Sequence, residues 1–365
     1  MSPSSSDQLQ TDLGSTEVIR AVFNTNTLGY GVSRMASKRD KDDLVSHPLR
    51  RPILVELKDN LVAMISNLIV AGVWTTSPAY LCLTHKRSGN HRELVFPCLI
   101  DSIVGRQVID ALEPLITVDD NGQAFCGRSH ASSHREPGDY ENWFQTWLDY
   151  SSAIAAAAKG EGFAYVYDTD VADFFPSVDR TKAKQFLSQR TRAHPSLLEL
   201  LFFCLESWLP RYEYMAMPGI PIEPNDISRL VAHNYLKVVD AEFTSRSDAR
   251  YLRYVDDTTI FVETEEAAEE AKREHHMALR RVGLNPNAAK SEILTVEHYE
   301  ARRHSEFNKR IDRESRDEDS FKRLVAEWYG RQSRKNIVNW DRVARRLYKA
   351  AIKFHLPQNE AACPS

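Results

Sequence analysis

The four residues Tyr254-Val255-Asp256-Asp257 constrain the fold of this chain more than any other stretch. Strand-like runs flank them at residues 250–253 and 258–262, which predicts a β-hairpin with the two aspartates at its tip. Adjacent carboxylates in one small space repel each other unless a cation neutralises them. The pattern therefore indicates a hairpin tip that binds a cation.

A third carboxylate is expected from the segment around Asp170. Residues 163–171 are predicted to form a strand with this aspartate at its end region, and the aspartate can meet the hairpin tip if the two strands are neighbours. Carboxylates on rigid supports can bridge two divalent ions about 3.5–4 Å apart, an arrangement that serves nucleotidyl transfer. We interpret the nearby Asp168 and Asp173 as structural residues or supports for the metal ligands.

Two Mg²⁺ ions are the predicted cofactors, with Mn²⁺ as a substitute. Mg²⁺ prefers hard oxygen ligands and keeps water and substrate phosphates in its shell. The backbone carbonyl of Val171 is a further candidate oxygen ligand.

The bulk composition describes an ordinary soluble protein of 365 residues, with 42% hydrophobic and 27% charged residues. Its five cysteines form no C-x-x-C pair, and the first residues lack the pattern of a signal peptide, so a cytoplasmic protein without a membrane partner is predicted. The net charge is −4, yet residues 301–355 hold 16 Lys and Arg against 8 Asp and Glu. A local basic face is therefore compatible with the acidic whole.

The order of predicted elements indicates an α+β sheet with helices on one face. Two short strands, residues 79–83 and 93–96, enclose a basic turn. Single helices are predicted at 180–209, 226–246 and 265–282, the last with an exposed His275-His276 pair. Residues 297–320 are predicted to be a charged linker and residues 321–355 to be helical, with the tryptophans of the helices in the core.

Three segments together resemble the palm motifs of reverse transcriptases across roughly residues 80–295. They are Asp170-Val-Ala-Asp-Phe-Phe-Pro-Ser-Val178, Tyr254-Val-Asp-Asp257 and Gly283-Leu-Asn-Pro-Asn-Ala-Ala-Lys290. The resemblance implies a right-hand polymerase with fingers and a ferredoxin-like palm, plus a C-terminal thumb-like helical region. The corresponding boundaries are a disordered N-terminus (1–15), fingers with N-terminal helices (16–162), palm (163–296) and thumb-like region (297–365).

The resemblance also implies a role for each motif residue. Asp170, Asp256 and Asp257 would be catalytic metal ligands, with the Val171 carbonyl beside them. Lys290 would protonate or neutralise the leaving pyrophosphate.

Four further residues would contact the nucleotide. Phe175, five residues after Asp170, matches the family's aromatic steric gate, which excludes a 2′-hydroxyl. Lys86 and Arg92 of the basic turn would grip the triphosphate, although a solvated turn explains each of them equally well. Pro221 belongs to the second palm motif, which lies against the templating base and the incoming nucleotide in the family.

The second motif departs from the family's Pro-Gln-Gly-Ser, because Ile222-Glu223 stands where Gln-Gly is usual. The change removes amide hydrogen bonds and places an anion near a polyanion. The pattern Pro-x-x-Pro followed by Ser228-Arg229 and Ala232 resembles bacterial abortive-infection and defence-associated reverse transcriptases of the unknown group. Relatives there copy without a conventional template, use a non-coding RNA or prime from a protein hydroxyl.

The predicted function is therefore an RNA-directed or template-independent DNA polymerase that adds deoxynucleotides in bacterial antiphage defence. Its expected partners are dNTPs, the DNA product, a non-coding RNA template, and a companion protein or a second copy of the chain. Two alternatives remain: an RNA-directed RNA polymerase, which Phe175 disfavours, and a nucleic-acid-binding scaffold subunit that works with an active partner.

Overall fold

The computed structural model describes thirteen stretches of the chain: residues 16–37, 50–85, 91–117, 123–125, 143–160, 162–212, 215–216, 218–224, 227–244, 246–303, 310–311, 313–332 and 340–352. The predicted disordered N-terminus and most of the loop at 117–142 lie outside these residues.

The strands are β1 (Tyr80–His85), β2 (His91–Phe96), β3 (Tyr165–Thr169), β4 (Arg211–Tyr212), β5 (Met215–Ala216), β6 (Ala249–Tyr254), β7 (Asp257–Val262) and β8 (Glu292–Thr295). The helices are α1 (16–22), α2 (Thr25–Ser37), α3 (Arg50–Glu56), α4 (Lys58–Val70), α5 (Leu99–Leu112), α6 (Trp143–Gly160), α7 (Phe174–Ser177), α8 (Arg180–Arg190), α9 (Pro195–Trp208), α10 (Ile227–Phe243), α11 (Glu265–Arg281), α12 (Val296–Arg303), α13 (Glu318–Gln332) and α14 (Trp340–Ile352).

A four-stranded antiparallel sheet forms the centre of the molecule, in the order β6-β7-β3-β8. Helices α8 to α10 connect β3 to β6, and α11 connects β7 to β8. This connectivity is the βαββαβ pattern of ferredoxin-like sheets. The mixed helix and sheet content agrees with the predicted α+β class.

Helices cover both faces of this sheet, so the prediction of helices on one face was wrong. Alternate residues of a strand point to opposite faces, and both sets are apolar here. Tyr167 and Ile260 pack in the core under α10 and α11, whereas Val166 and Phe261 pack with residues of α6 and α12. A sheet that is apolar on both sides needs cover on both sides.

Two helix predictions also need correction. The helix predicted at 180–209 is two helices, because Pro195 begins α9 after the His194 cap and cannot continue a preceding helix. The predicted linker at 297–320 contains α12, which follows β8 directly and buries Tyr299 against the sheet.

The C-terminal helices have a hydrophobic core of their own. Trp328 of α13 lies in it with Phe321 and Leu324, opposite Val343 and Leu347 of α14. The prediction that Trp328 is a core residue is confirmed, whereas the Trp143 and Trp340 side chains lie outside the described part. None of the described helices combines the length and hydropathy that a membrane span requires.

The β1–β2 hairpin confirms the two strands predicted from residue 79 to residue 96. A hydrogen bond from the Val95 N–H to the Ile222 carbonyl (2.8 Å) attaches it to the segment before α10. The N-terminal helices α2, α4 and α5 pack together into the main core.

Candidate active site

The strand register brings Asp170 and Asp257 to the same end of the sheet. Thr169, the last residue of β3, pairs with Thr258 of β7, so one step further Asp170 lies beside Asp257. Side chains alternate between the two faces of a sheet, so Asp170 points to the same face as Asp168, and Asp257 points to the same face as Thr259. This is the face that α6 and α12 cover. The predicted meeting of the Asp170 strand with the hairpin is therefore confirmed.

Asp256 lies in the two-residue loop that joins β6 to β7. The predicted hairpin is confirmed, but Tyr254 and Asp257 pair across it, so its tip holds Val255 and Asp256 and not the two aspartates. Val255 has a positive φ of 57°, a conformation that is unfavourable for a β-branched residue. The sharp reversal places three aspartates around one end of the sheet.

The charges of this cluster perturb each other. Burial, together with repulsion from Asp256, Asp170 and Asp168, raises the pKa of Asp257 to about 7. Burial also raises the pKa of Asp256, with a contribution from Asp170, whereas the positive charges of Lys290 and Arg92 act in the opposite direction. The site thus concentrates negative charge that a cation would stabilise.

Lys290 lies in the same site, held there by the turn after α11. Asn287 N–H donates to the Asp170 carbonyl (2.8 Å), and Ala172 N–H donates to the Asn285 carbonyl (2.9 Å). Through this bridge the ammonium of Lys290 reaches the Asp170 carboxylate. The hydrogen bond with Asp170 raises the pKa of Lys290, so the side chain stays a cation.

The side chains present fit divalent metal ions. Oδ1 of Asp170 is buried and accepts no hydrogen bond from the described residues, which is a costly state for a carboxylate oxygen. In the described part of the chain, no three metal-ligating side chains already converge on one point. Mg²⁺ is usually held by one or two carboxylates together with substrate phosphates and water, and the Asp170 and Asp257 carboxylates are ligands of that kind.

The Phe175 segment and the segment around Pro221 are packed tightly together. Ile220 N–H donates to the Phe175 carbonyl (3.0 Å), and an Arg180 guanidinium N–H donates to the Gly219 carbonyl (2.9 Å). Gly219 has a φ of 84°, and a Cβ there would lie 2.4 Å from the Phe175 carbonyl oxygen. Pro221, the residue after Ile220, is buried.

Glu223 has a structural partner that the sequence did not reveal. Its Oε1 accepts the Ser228 N–H (3.0 Å) at the start of α10, so the carboxylate caps a helix N-terminus. The helix N-terminus thus stabilises the negative charge of Glu223, which the sequence had presented as a free anion beside nucleic acid. The Ile222 carbonyl, next to it, holds the β1–β2 hairpin.

The basic turn is described only at its edges. Lys86 lies outside the described residues. Arg92 is exposed on β2, and its positive charge acts to lower the pKa of Asp256. The sequence-predicted site residues Asp170, Asp256, Asp257 and Lys290 are thus brought together, with Arg92 within electrostatic reach.

A cavity of about 520 Å³ opens beside the carboxylates, between the sheet, α6, α12 and α14. Its walls combine Asp170 and Asp257 with Trp147, Tyr150 and Arg346. Three arginines border it (Arg302, Arg303 and Arg346), so it is both polar and rich in phosphate-binding groups. No local pattern in the sequence predicted that helices so distant in the chain share this space.

A buried hydrogen-bond chain forms the floor of the cavity. Thr259 donates to Asp168 Oδ1 (2.9 Å), and Tyr150 therefore donates to Thr259 Oγ1 (3.0 Å). The Tyr299 hydroxyl lies 3.2 Å from the same Thr259 oxygen, and the Arg303 guanidinium stacks over Tyr150 and Tyr299. These contacts give Asp168 a fixed position next to the metal-ligand candidates.

His275 is buried under the sheet, so its predicted exposure was wrong. Its ring contacts Tyr167, Phe243 and Tyr251. The helix carrying it is charged, but every third or fourth residue of α11 faces the sheet, and His275 falls on that face with Ala271 and Leu279.

Comparison with known proteins identifies the family of the chain. The family model described as "Reverse transcriptase (RNA-dependent DNA polymerase)" matches residues 84–328, which contain Asp170, Asp256, Asp257 and Lys290. The chain belongs to the reverse transcriptase family.

No curated protein matches the chain. Among solved structures, it is similar to a telomerase from Candida tropicalis in complex with a fragment of telomeric RNA, with a TM-score of 0.41 and 13% identity. The alignment covers 67% of this chain and 45% of the telomerase chain. The chain thus spans less than half the length of that protein.

Proposed function

We propose that the protein is a DNA polymerase of the reverse-transcriptase type that adds deoxynucleotides to a hydroxyl acceptor. The main support is the sheet register, which places Asp170 beside Asp257 with Asp256 in the adjoining turn. Lys290 forms an ion pair with Asp170 in the same place. In this proposal β3, β6, β7 and β8 form the palm, the β1–β2 hairpin belongs to the fingers, and the helices after residue 297 form the thumb-like region.

Each residue of the site has a defined task in the proposal. Asp170, Asp256 and Asp257 hold the metal, with the Val171 carbonyl as a further oxygen ligand. Two bound Mg²⁺ ions would supply activation of the attacking hydroxyl and neutralisation of the triphosphate. Lys290 keeps a positive charge where pyrophosphate leaves, since its ammonium already lies against Asp170.

The substrates are positioned from two sides. Phe175 restricts the sugar of the incoming nucleotide, and contacts with Gly219 and Ile220 hold its backbone in place. Arg92 and Lys86 pair with the triphosphate. The cavity under α6 and α14 receives the acceptor end, since its arginines suit phosphates and it opens directly onto Asp170 and Asp257.

The decisive experiment incubates the purified protein with Mg²⁺ and labelled dNTPs, singly and mixed, with co-purified nucleic acid kept or digested by RNase. Asp256→Asn should abolish polymer formation without unfolding the protein, and Asp319→Asn, on the exposed start of α13, is the matched control. Retained synthesis by Asp256→Asn contradicts the proposal.

Loss of polymer after RNase pretreatment would indicate a bound RNA template, whereas its survival would indicate template-independent synthesis. Preferential use of rNTPs would favour the RNA polymerase alternative, which the family match does not support. No polymer under any condition would favour the scaffold alternative with an active partner protein.

We further propose that synthesis serves antiphage defence in the bacterial cytoplasm. The support is the resemblance of the segment from Pro221 to Ala232 to abortive-infection enzymes. Bacteria expressing the wild type should form fewer phage plaques than bacteria expressing Asp256→Asn, and equal plaque numbers across a panel of phages would contradict the defence role.

A further inference from the structure

A buried ion pair lies directly behind the hairpin tip. Arg253, the residue before Tyr254, donates from Nε to Asp240 Oδ1 (2.7 Å) and from one guanidinium nitrogen to Asp240 Oδ2 (2.5 Å). The two residues are 1% and 3% exposed. A bidentate pair of this kind fixes both partners in orientation as well as in distance.

The same guanidinium also holds the strained turn. Its other terminal nitrogen donates to the Val255 carbonyl (2.7 Å), and Val255 is the residue with φ of 57° immediately before Asp256. Positive φ at a non-glycine residue is unfavourable and persists only where surrounding contacts enforce it. The contact to the carbonyl is such a constraint.

Arg253 is itself fixed from the outer edge of the sheet. Its N–H donates to the Gln123 carbonyl (2.8 Å), and its carbonyl accepts the Phe125 N–H (2.7 Å). Asp240 is anchored in α10 and also accepts the Tyr251 hydroxyl (2.8 Å). The backbone of Arg253 and the carboxylate of Asp240 are therefore both held in place, and the remaining guanidinium nitrogen contacts the Val255 carbonyl.

We infer that Arg253 and Asp240 are positioning residues, which set the Val255-Asp256 turn so that the carboxylate of Asp256 is aligned for metal binding. The inference deepens the proposed function and rests on it. Arg253 touches neither substrate nor metal in this scheme; it acts through the Val255 carbonyl. We call Arg253, Asp240 and that carbonyl the hairpin brace.

A role of this kind predicts a change in metal requirement and not only in stability. Loss of partners that orient metal ligands typically weakens metal affinity or activity by about 10–100-fold. A residue that only stabilises the fold would lower the amount of active protein but would leave the Mg²⁺ midpoint unchanged.

The first test variant is Arg253→Lys, which keeps a positive charge for Asp240 but loses the planar fork that reaches both partners. The second is Arg253→Met/Asp240→Leu/Tyr251→Phe. It replaces the whole buried polar group with apolar side chains, which is often neutral for stability, whereas removing one partner alone leaves a buried charge. The matched control is Arg281→Met/Glu242→Leu, an exposed ion pair between α10 and α11.

The full-length variants are titrated with Mg²⁺ in two assays: dNTP polymerisation, and thermal unfolding with Mg²⁺ alone as the probe. We expect both brace variants to need about 10–100-fold more Mg²⁺ for the half-maximal effect in each assay, and the control to match the wild type.

Wild-type Mg²⁺ midpoints in the folded brace variants would overturn the inference and leave the proposed function standing. If the triple variant fails to fold, Arg253→Lys alone decides in the same way. A wild-type protein without Mg²⁺-dependent synthesis would instead overturn the proposed function, and the inference with it.

Discussion

Gly219 provides the sharpest prediction about how the fold supports the site. Replacing it with alanine adds one methyl group at a residue with φ of 84°. The new Cβ would lie 2.4 Å from the Phe175 carbonyl oxygen and 2.4 Å from backbone atoms of Pro176. Backbone atoms cannot move aside as a flexible side chain can, so the two segments must separate.

The expected cost has two parts. Positive φ at alanine costs about 1 kcal/mol, and overpacking a tight contact adds roughly 1–3 kcal/mol. We therefore expect Gly219→Ala to lower the free energy of unfolding by about 2–4 kcal/mol. Because the collision is with Phe175 itself, discrimination between dNTPs and rNTPs should also weaken.

A matched substitution at Gly72 measures the cost of the positive φ without the cost of overpacking. It has a φ of 67°, yet nothing lies within 4 Å of the position of its Cβ. Gly72→Ala should therefore lose only about 1 kcal/mol and keep the wild-type sugar preference. Urea unfolding and competition between dNTPs and rNTPs measure both effects. Equal losses of stability in the two variants, with unchanged sugar preference in Gly219→Ala, would refute the reasoning.

Three further predictions concern single side chains. Burial lowers the pKa of His275 from 6.5 to about 4. The unfolded state then binds more protons between those values, and stability falls as the pH falls through this window. Between pH 7.5 and 5 the wild type should lose about 2 kcal/mol more in urea unfolding than His275→Gln, and parallel profiles would contradict the buried neutral imidazole. Glu223→Ala removes the cap on Ser228 N–H and should cost about 1 kcal/mol of unfolding free energy; an unchanged stability would show that the cap is not formed in solution. Phe175→Ala should increase incorporation of rNTPs relative to dNTPs without loss of Mg²⁺ dependence, and an unchanged ratio would argue against the steric gate.

Much of the site could be predicted from the sequence because its signals are local. The hairpin tip follows from two short strands around a two-residue loop, and the Asp170 motif and the Gly283–Lys290 turn are continuous in the chain. Strand ends and turns depend on neighbouring residues, so these pieces were placed within a few residues of their observed bounds.

Other features depend on contacts between distant segments, and for these the sequence was misleading or silent. Burial of His275 depends on which face of α11 meets the sheet, and the charged neighbours of the residue hid that face. Glu223 appeared to be a free anion until α10 provided an N-terminus for it. The helices on the second face of the sheet could not be predicted without knowing that α6 packs against β6.

By itself, the sequence determined which carboxylates, lysine and aromatic ring are the candidate site residues, because those residues occur in short motifs whose geometry is set by a strand, a turn or a helix start. Only the tertiary structure decided how they are held: the register that puts Asp170 beside Asp257, the hairpin brace on Val255, and the cavity closed by α6 and α14. These depend on the packing of segments far apart in the chain, and no local pattern encodes such distances.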